Sequence, residues 1–199
     1  MKIIEPSVEL IDEINPADVL KKIERCGRVC YQSKAREDSA EQFVRMLIKR
    51  GHESVLEHVS LTFRIICDRA IMAELTRHRL ASFSVESTRY CKYDELTVVT
   101  DMPDLDDCYH DALKDAAENY QYLVKRGYPP ELARAVLPLC TKSELYMTAN
   151  LREWRHILKL RTSKQAHPQM RDVAGLILST LKEKLPVIVE DIKEAEHDS

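Results

Sequence analysis

Glycine is scarce in this chain: four in 199 residues, at positions 27, 51, 127 and 175. Neither the Gly-x-Gly-x-x-Gly fingerprint nor the P-loop pattern can be written with them, so a nucleotide cofactor must be held without those glycine-rich turns. The six cysteines, at 26, 30, 67, 91, 108 and 140, include no Cys-x-x-Cys pair, and in a cytosolic chain they are expected to be reduced. An excess of positive charge is also missing. The net charge of −3 argues against a general nucleic-acid binder, because such domains are strongly basic. No apolar run approaches the length of a membrane span. Met1-Lys2-Ile3-Ile4-Glu5-Pro6 lacks a signal-peptide core, so a cytoplasmic location is expected. Internal repeats, low-complexity tracts and evident linkers are absent too.

What is present, 44% hydrophobic and 32% charged residues, suits one globular domain spanning 1–199. Short apolar runs broken by Pro6 predict a bent strand over 2–13. Asn15-Pro16 opens a helix to about Gln32, with Asn as cap and Pro in the first position. A second helix is expected from about Ser39 to Arg50, stopped by Gly51, with Ala40, Phe43, Met46 and Leu47 as its apolar stripe. The alternation Leu61, Phe63, Ile65, Cys67 reads as a strand. A helix follows from Arg69 to about Arg77, with Ile71, Met72 and Leu75 inward. Further strands are expected over 95–100 and 143–149, with an acidic loop over 101–107. Further helices are expected over about 108–126, 131–136, 150–160 and 168–184, with a last short one after Pro186 and a polar tail from Glu194. The balance is α+β, with helices packed on a mostly antiparallel sheet.

The most informative stretch is Arg77-His78-Arg79-Leu80-Ala81-Ser82-Phe83-Ser84-Val85-Glu86-Ser87-Thr88-Arg89-Tyr90. Three consecutive cationic side chains cannot all face one way on a helix or strand. They suit a junction where an element ends and its side chains fan out. Hydroxyls and backbone N–H groups of the serines, with guanidinium forks beside them, are the donors that hold phosphate or carboxylate oxygens. Arg152, His156, Lys159 and Arg161 form a second basic cluster, in which Arg155 and Lys159 are expected to face water. Two such clusters point to an extended polyanion or to two anionic ligands meeting in one site.

Competing chemistries find less support. His52, Glu57 and His58, with Cys26 and Cys30, invite a zinc reading, but no His-Glu-x-x-His pattern exists and no metal is expected. Ser82, Ser84 and Ser87 lie near His78 without the Gly-x-Ser-x-Gly elbow of a serine nucleophile. Cys91 has cationic neighbours that favour a thiolate, with nothing further to mark it as catalytic.

The block from Arg77 to Tyr90 resembles the signature of the flavin-dependent thymidylate synthase family, written RHRxxSxNExSxRY. The likeness continues in His52-Glu53-Ser54, 25 residues before Arg77, and in Arg134-Ala135-Val136-Leu137-Pro138, Asn150-Leu151-Arg152, His156 and Leu160-Arg161. The resemblance implies an enzyme that converts dUMP to dTMP with methylene from 5,10-methylenetetrahydrofolate, FAD as cofactor and NADPH as electron source. It also implies a homotetramer with sites at subunit interfaces, and neither nucleic acid nor membrane as a partner. Carried over by position, Ser54, Arg77, His78, Arg79, Asn150, Arg152 and His156 would contact FAD, and His52 would line the flavin. Glu74, Arg77, Val85, Glu86, Ser87, Arg89, Arg134 and Arg161 would hold dUMP. Arg161 would be the catalytic residue, at the uracil edge. Two departures stand out. The family's Asn-Glu pair is Ser84-Val85 here, with Glu86 one place later. A Gln often found three residues before the motif is Glu74, which beside a bound anion requires an arginine partner. A single-strand nucleic-acid module, or a flavoprotein of the same fold without methyl transfer, would use the same basic residues.

Overall fold

The structure is a computed structural model that describes residues 1–30, 32–100 and 106–193. The expected acidic loop over 101–107 and the polar tail fall almost entirely outside the described residues. Pro6, which has no N–H to give to a ladder, separates two short strands that join different sheets. β1 (Lys2–Ile4) runs parallel to β5 (Thr97–Val99). β2 (Ser7–Leu10) is the edge of a four-stranded antiparallel sheet of order β2-β3-β6-β4, with β3 Ser60–Asp68, β4 Ala81–Val85 and β6 Lys142–Asn150. The expected α+β architecture with a mostly antiparallel sheet is what forms.

Helix starts follow the sequence closely. The Asn15 side chain accepts from Ala17 N at 3.0 Å and caps α1 (Pro16–Val29). α2 (Ala40–Lys49) and α4 (Asp107–Lys125) each end near a glycine with positive φ, Gly51 at +72° and Gly127 at +84°, a conformation that costs other residues strain. α3 (Arg69–Leu75) follows β3 directly. α5 (Pro130–Ala133) runs into a 3₁₀ turn over Arg134–Val136. α6 (Leu151–Arg161), α7 (Pro168–Lys184) and α8 (Pro186–Val189) complete the chain. No helix among the described residues is long and apolar enough to cross a membrane.

The core lies between one face of the four-stranded sheet and α6 to α8. Phe63, Ile65, Leu145 and Met147 from the sheet meet Trp154, Leu158, Val173 and Ile177 from the helices, all at most 1% exposed. Trp154 packs edge-on against Phe63, centroids 5.0 Å apart, and its indole N–H donates to Leu61 O at 3.0 Å, so its one polar atom is satisfied. The stripe of α2 differs from expectation: Val44 and Leu47 are buried, whereas Phe43 and Met46 are only half-buried.

Two outcomes bear on the site. Residues 143–149, a weak strand pattern by composition, lie within the nine-residue central strand β6, because Leu145, Met147 and Ala149 alternate inward. The serine-rich segment after Arg79 is itself a strand rather than an open loop of donors. β4 pairs with β6 from Ala81↔Ala149 to Val85↔Leu145, which directs Ser82 and Ser84 outward and Ala81 and Phe83 towards the core.

Candidate active site

The Arg-His-Arg run occupies the turn between α3 and β4, and its side chains part as three neighbours must. His78 turns inward and is 7% exposed, whereas Arg77 and Arg79 stay in solvent. α6 lies against this turn. Arg161 Nε donates to His78 Nε2 at 3.1 Å, and Arg161 Nη1 donates to Glu74 Oε2 at 2.9 Å. Glu74 therefore has the arginine partner its position required. On the other side of the imidazole, Nδ1 faces Glu153 Oε1 at 3.7 Å, and the His156 ring stands 6.3 Å away, centre to centre. The accepting Nε2 makes His78 the neutral tautomer with its proton on Nδ1. Burial, then the charges of Arg161 and His156, hold its pKa down at about 4.

That shift makes a stability prediction. An unfolded His titrates near 6.5, so between pH 6.5 and 4 the unfolded chain binds the extra proton and stability falls as pH falls. At about 1.4 kcal/mol per unit, the loss from this one group approaches 3 kcal/mol by pH 4. Denaturant unfolding of His78→Gln compared with the native chain should show a shallower decline across this window. Equal slopes would mean that His78 is not held neutral.

Asn150 spends its side chain as the cap of α6, accepting from Glu153 N at 2.9 Å. Arg152 projects from the first turn of α6 and pairs with Glu57 at 2.5 Å. Leu80, Asn150, Arg152, Glu153 and His156 line an open cavity of about 610 Å³. His52 and Ser54 are exposed around the start of a 3₁₀ turn over Glu53–His58. That turn is tied to α6 by Arg155, which corrects the expectation of a solvent-facing side chain. Arg155 is 1% exposed, donates to Glu53 at 3.0 Å and to both Asp191 oxygens at 2.7 and 2.8 Å, and also bonds Ile188 O. Lys159 remains half-exposed, as expected.

The remaining substrate-binding candidates gather elsewhere. Ser87 starts a tight turn whose carbonyl accepts from Tyr90 N and Cys91 N. Arg134 donates to the buried Thr88 hydroxyl at 3.2 Å, and Arg89 lies 3.6 Å from Glu131. Val85 is exposed at the end of β4. Glu86 accepts from Tyr93 Oη at 2.7 Å and Lys142 Nζ at 2.6 Å, so its carboxylate is committed within the chain. Burial and the Glu86 carboxylate together push the Tyr93 hydroxyl pKa up.

β3 ends where α3 begins, and α3 leads back to the opposite end of the sheet, where β4 starts. One chain thus places Glu74, His78 and Arg161 at one end of β4 and Ser87, Arg89 and Arg134 at the other. The five residues of β4 span roughly 15 Å at 3.3 Å each.

Among the described residues, the group that could offer ligands to one metal ion is His78, Glu153 and His156, with donor atoms within 4.8 Å of one another, rather than the His52 and His58 weighed and set aside from the sequence. In this arrangement both nitrogens of His78 are engaged, Nε2 with Arg161 and Nδ1 facing Glu153, which leaves no free lone pair for an ion. Sequence reasoning missed Glu153, Glu53, Lys142 and Tyr93. Asn150-x-x-Glu153 looks like a capping box, but the carboxylate turns to His78 instead of back to the cap.

Fixed guanidiniums, a buried neutral imidazole and an open cavity beside an antiparallel sheet suit an enzyme that binds an anionic ligand. The sequence matches the family described as thymidylate synthase complementing protein over residues 9–187. It is 38% identical over 205 residues to a probable flavin-dependent thymidylate synthase of Mycobacterium phage D29, covering 91% of this chain and 86% of that one. It is 34% identical over 175 residues to a flavin-dependent thymidylate synthase of Thermococcus onnurineus, covering 79% and 71%. A crystal structure of the UMP/dUMP methylase PolB from Streptomyces cacaoi, bound with 5-Br dUMP, superposes with a TM-score of 0.79 at 28% identity, covering 96% of each chain. The chain belongs to the flavin-dependent thymidylate synthase family.

Proposed function

We propose that the chain, acting as one domain, methylates dUMP to dTMP, with Arg161 at the uracil edge. The observation that carries this reading is the three-sided hold on Arg161: His78 takes Nε, the Glu74 carboxylate takes Nη1, and the Glu74 carbonyl lies 3.5 Å from Nη2. A guanidinium kept in place this way can meet negative charge that builds on the pyrimidine as N3 ionises and C5 becomes nucleophilic, at no cost of reorganisation. Positive charge then does what a cysteine adding to the ring would otherwise do. Ser87, the backbone of Val85, Arg89 and Arg134 supply donors suited to the nucleotide phosphate, with Arg77 as a further cation in the turn beside His78.

FAD fits the residues present. The cavity beside Asn150, Arg152 and His156 has apolar lining from Leu80 and the cations Arg152 and Lys159 beside the carboxylates of Glu53, Glu57 and Glu153, and His52, Ser54, Arg77, His78 and Arg79 would be further contacts for the flavin and its diphosphate. Bound there, the flavin would supply the electrons that reduce the transferred carbon. The carbon itself comes from 5,10-methylenetetrahydrofolate, and NADPH serves as reductant. The separation of Arg89 and Arg134 from Arg161 along β4 supports active sites assembled between chains of a homotetramer, in which one chain supplies the phosphate end and another the uracil end. A cytoplasmic location accords with these soluble substrates.

The purified protein should be yellow, elute at four times the 23.0 kDa chain mass, and release tritium from 5-tritiated dUMP only with NADPH and methylenetetrahydrofolate. UMP belongs in the same assay as a competing substrate. A colourless protein that takes up no FAD and binds no dUMP would remove this reading.

A further inference from the structure

Glu153 is a buried carboxylate, 8% exposed, on the first turn of α6. Among the described residues no lysine or arginine pairs with it; His78 Nδ1 lies 3.7 Å from its Oε1, and a ring nitrogen of His156 lies within 4.8 Å. A buried carboxylate normally sits against a cation or several donors. This one faces a neutral ring, which is unfavourable for stability unless the ring presents an N–H to it. Arg161 requires that the proton be there. Its Nε is always a donor, so the His78 nitrogen it meets must accept, and the single proton of the neutral imidazole is left on the nitrogen facing Glu153. Glu153, His78, Arg161 and Glu74 thus form one alternating line of acceptors and donors across the joint between α3, β4 and α6.

We propose that Glu153 is a positioning residue for this enzyme: its carboxylate keeps the His78 proton on Nδ1, so that Nε2 stays available to hold Arg161. This rests on the reading that Arg161 meets the uracil, and it deepens that reading by adding a residue that acts on Arg161 through His78, although Glu153 also lines the cavity proposed for the flavin. An amide at position 153 can turn its NH₂ towards the ring. That favours the other tautomer, whose Nε2–H then opposes the Arg161 N–H and releases the guanidinium.

Two measurements on the flavin-loaded enzyme test this. In ¹⁵N-histidine-labelled protein, ring-nitrogen NMR should show His78, assigned by its loss in His78→Gln, as the Nδ1–H tautomer. Glu153→Gln should shift it towards Nε2–H. In turnover, Glu153→Gln should lower kcat per bound flavin about tenfold to a hundredfold, by analogy with the loss when a carboxylate that orients a metal-bound histidine is removed, with KM for dUMP little changed. Glu153→Asp should recover part of the loss. An Nε2–H tautomer in the native enzyme overturns the proposal, whatever the activity and whether or not the variant folds. So does native turnover per bound flavin in Glu153→Gln. So does a loss confined to flavin affinity, which would make Glu153 a flavin contact. If the native enzyme does not methylate dUMP at all, the functional reading fails while the tautomer result remains readable.

Discussion

Replacing Arg161 with alanine is expected to lower kcat/KM for dUMP about 1,000-fold, the upper end of what losing one preorganised donor costs. The upper end applies because the side chain is doing more than one job. Its charge would meet the ionising pyrimidine. Its removal also leaves the Glu74 carboxylate without a partner beside the substrate and leaves His78 Nε2 with nothing to accept from. The free carboxylate would then repel an anionic nucleotide, so KM should rise while kcat falls. Arg161→Lys keeps the charge but loses the planar fork that meets His78 and Glu74 together, and little activity should return. Tritium release from 5-tritiated dUMP, normalised to bound flavin, measures both variants. Full activity with normal flavin content in Arg161→Ala would remove the residue from the mechanism.

The second large effect concerns stability. Arg155→Met is expected to destabilise the chain by about 3 kcal/mol, with a fall in Tm of roughly 10 °C for a chain of this size. Methionine fills similar volume and needs no partner, so the cost falls on the groups left behind. Glu53 and Asp191 lose the buried guanidinium that joins them and keep only the half-exposed Lys159 Nζ at 3.7 and 3.6 Å, and Ile188 O loses a donor. The figure lies at the lower end for a broken buried pair, because the Asp191 side chain is 43% exposed and can regain water. The Arg155 guanidinium holds the Asp191 carboxyl below its ordinary range. A carboxylate with a lowered folded pKa adds stability above its unfolded pKa and loses it as pH falls. The gap between native and Arg155→Met unfolding should therefore narrow in acid. A gap of under about 1 kcal/mol at pH 7, the size of an exposed pair, would mean that the network is no more than surface charge. Because Glu53 lies between His52 and Ser54, the same variant should also bind FAD more weakly.

Arg155 shows what one-dimensional reading misses. Arg152, Arg155, His156 and Lys159 all look like the polar side of an amphipathic helix. Yet the 3₁₀ turn at Glu53 and the segment after α8 cover that side and bury Arg155. Those partners are 102 and 36 residues away in the chain, and no helical periodicity reports them. β4 was readable in principle, since Ala81, Ser82, Phe83, Ser84 and Val85 alternate by size and polarity. The same serines are also good phosphate donors, a chemistry that hides the period of two. Glu153 carried a local signal that pointed to a different job, because Asn-x-x-Glu at a helix start is ordinarily a reciprocal cap.

Local chemistry in the sequence was enough for the helix caps, for the central hydrophobic strands, and for the family through its spaced arginines and histidines, whereas Pro6 signalled only a bend and not two strands in different sheets. Each depends on residues within a few turns of one another or on side-chain types at set intervals. Only the tertiary structure decided which of those side chains meet. It carried His78 into the interior and brought Arg161 and Glu153 to its two nitrogens. It also placed Arg89 and Arg134 at the far end of β4. Such contacts depend on how α3 and α6 cross the sheet, and that crossing is set by the packing of Trp154, Phe63 and their neighbours rather than by any polar residue in the site.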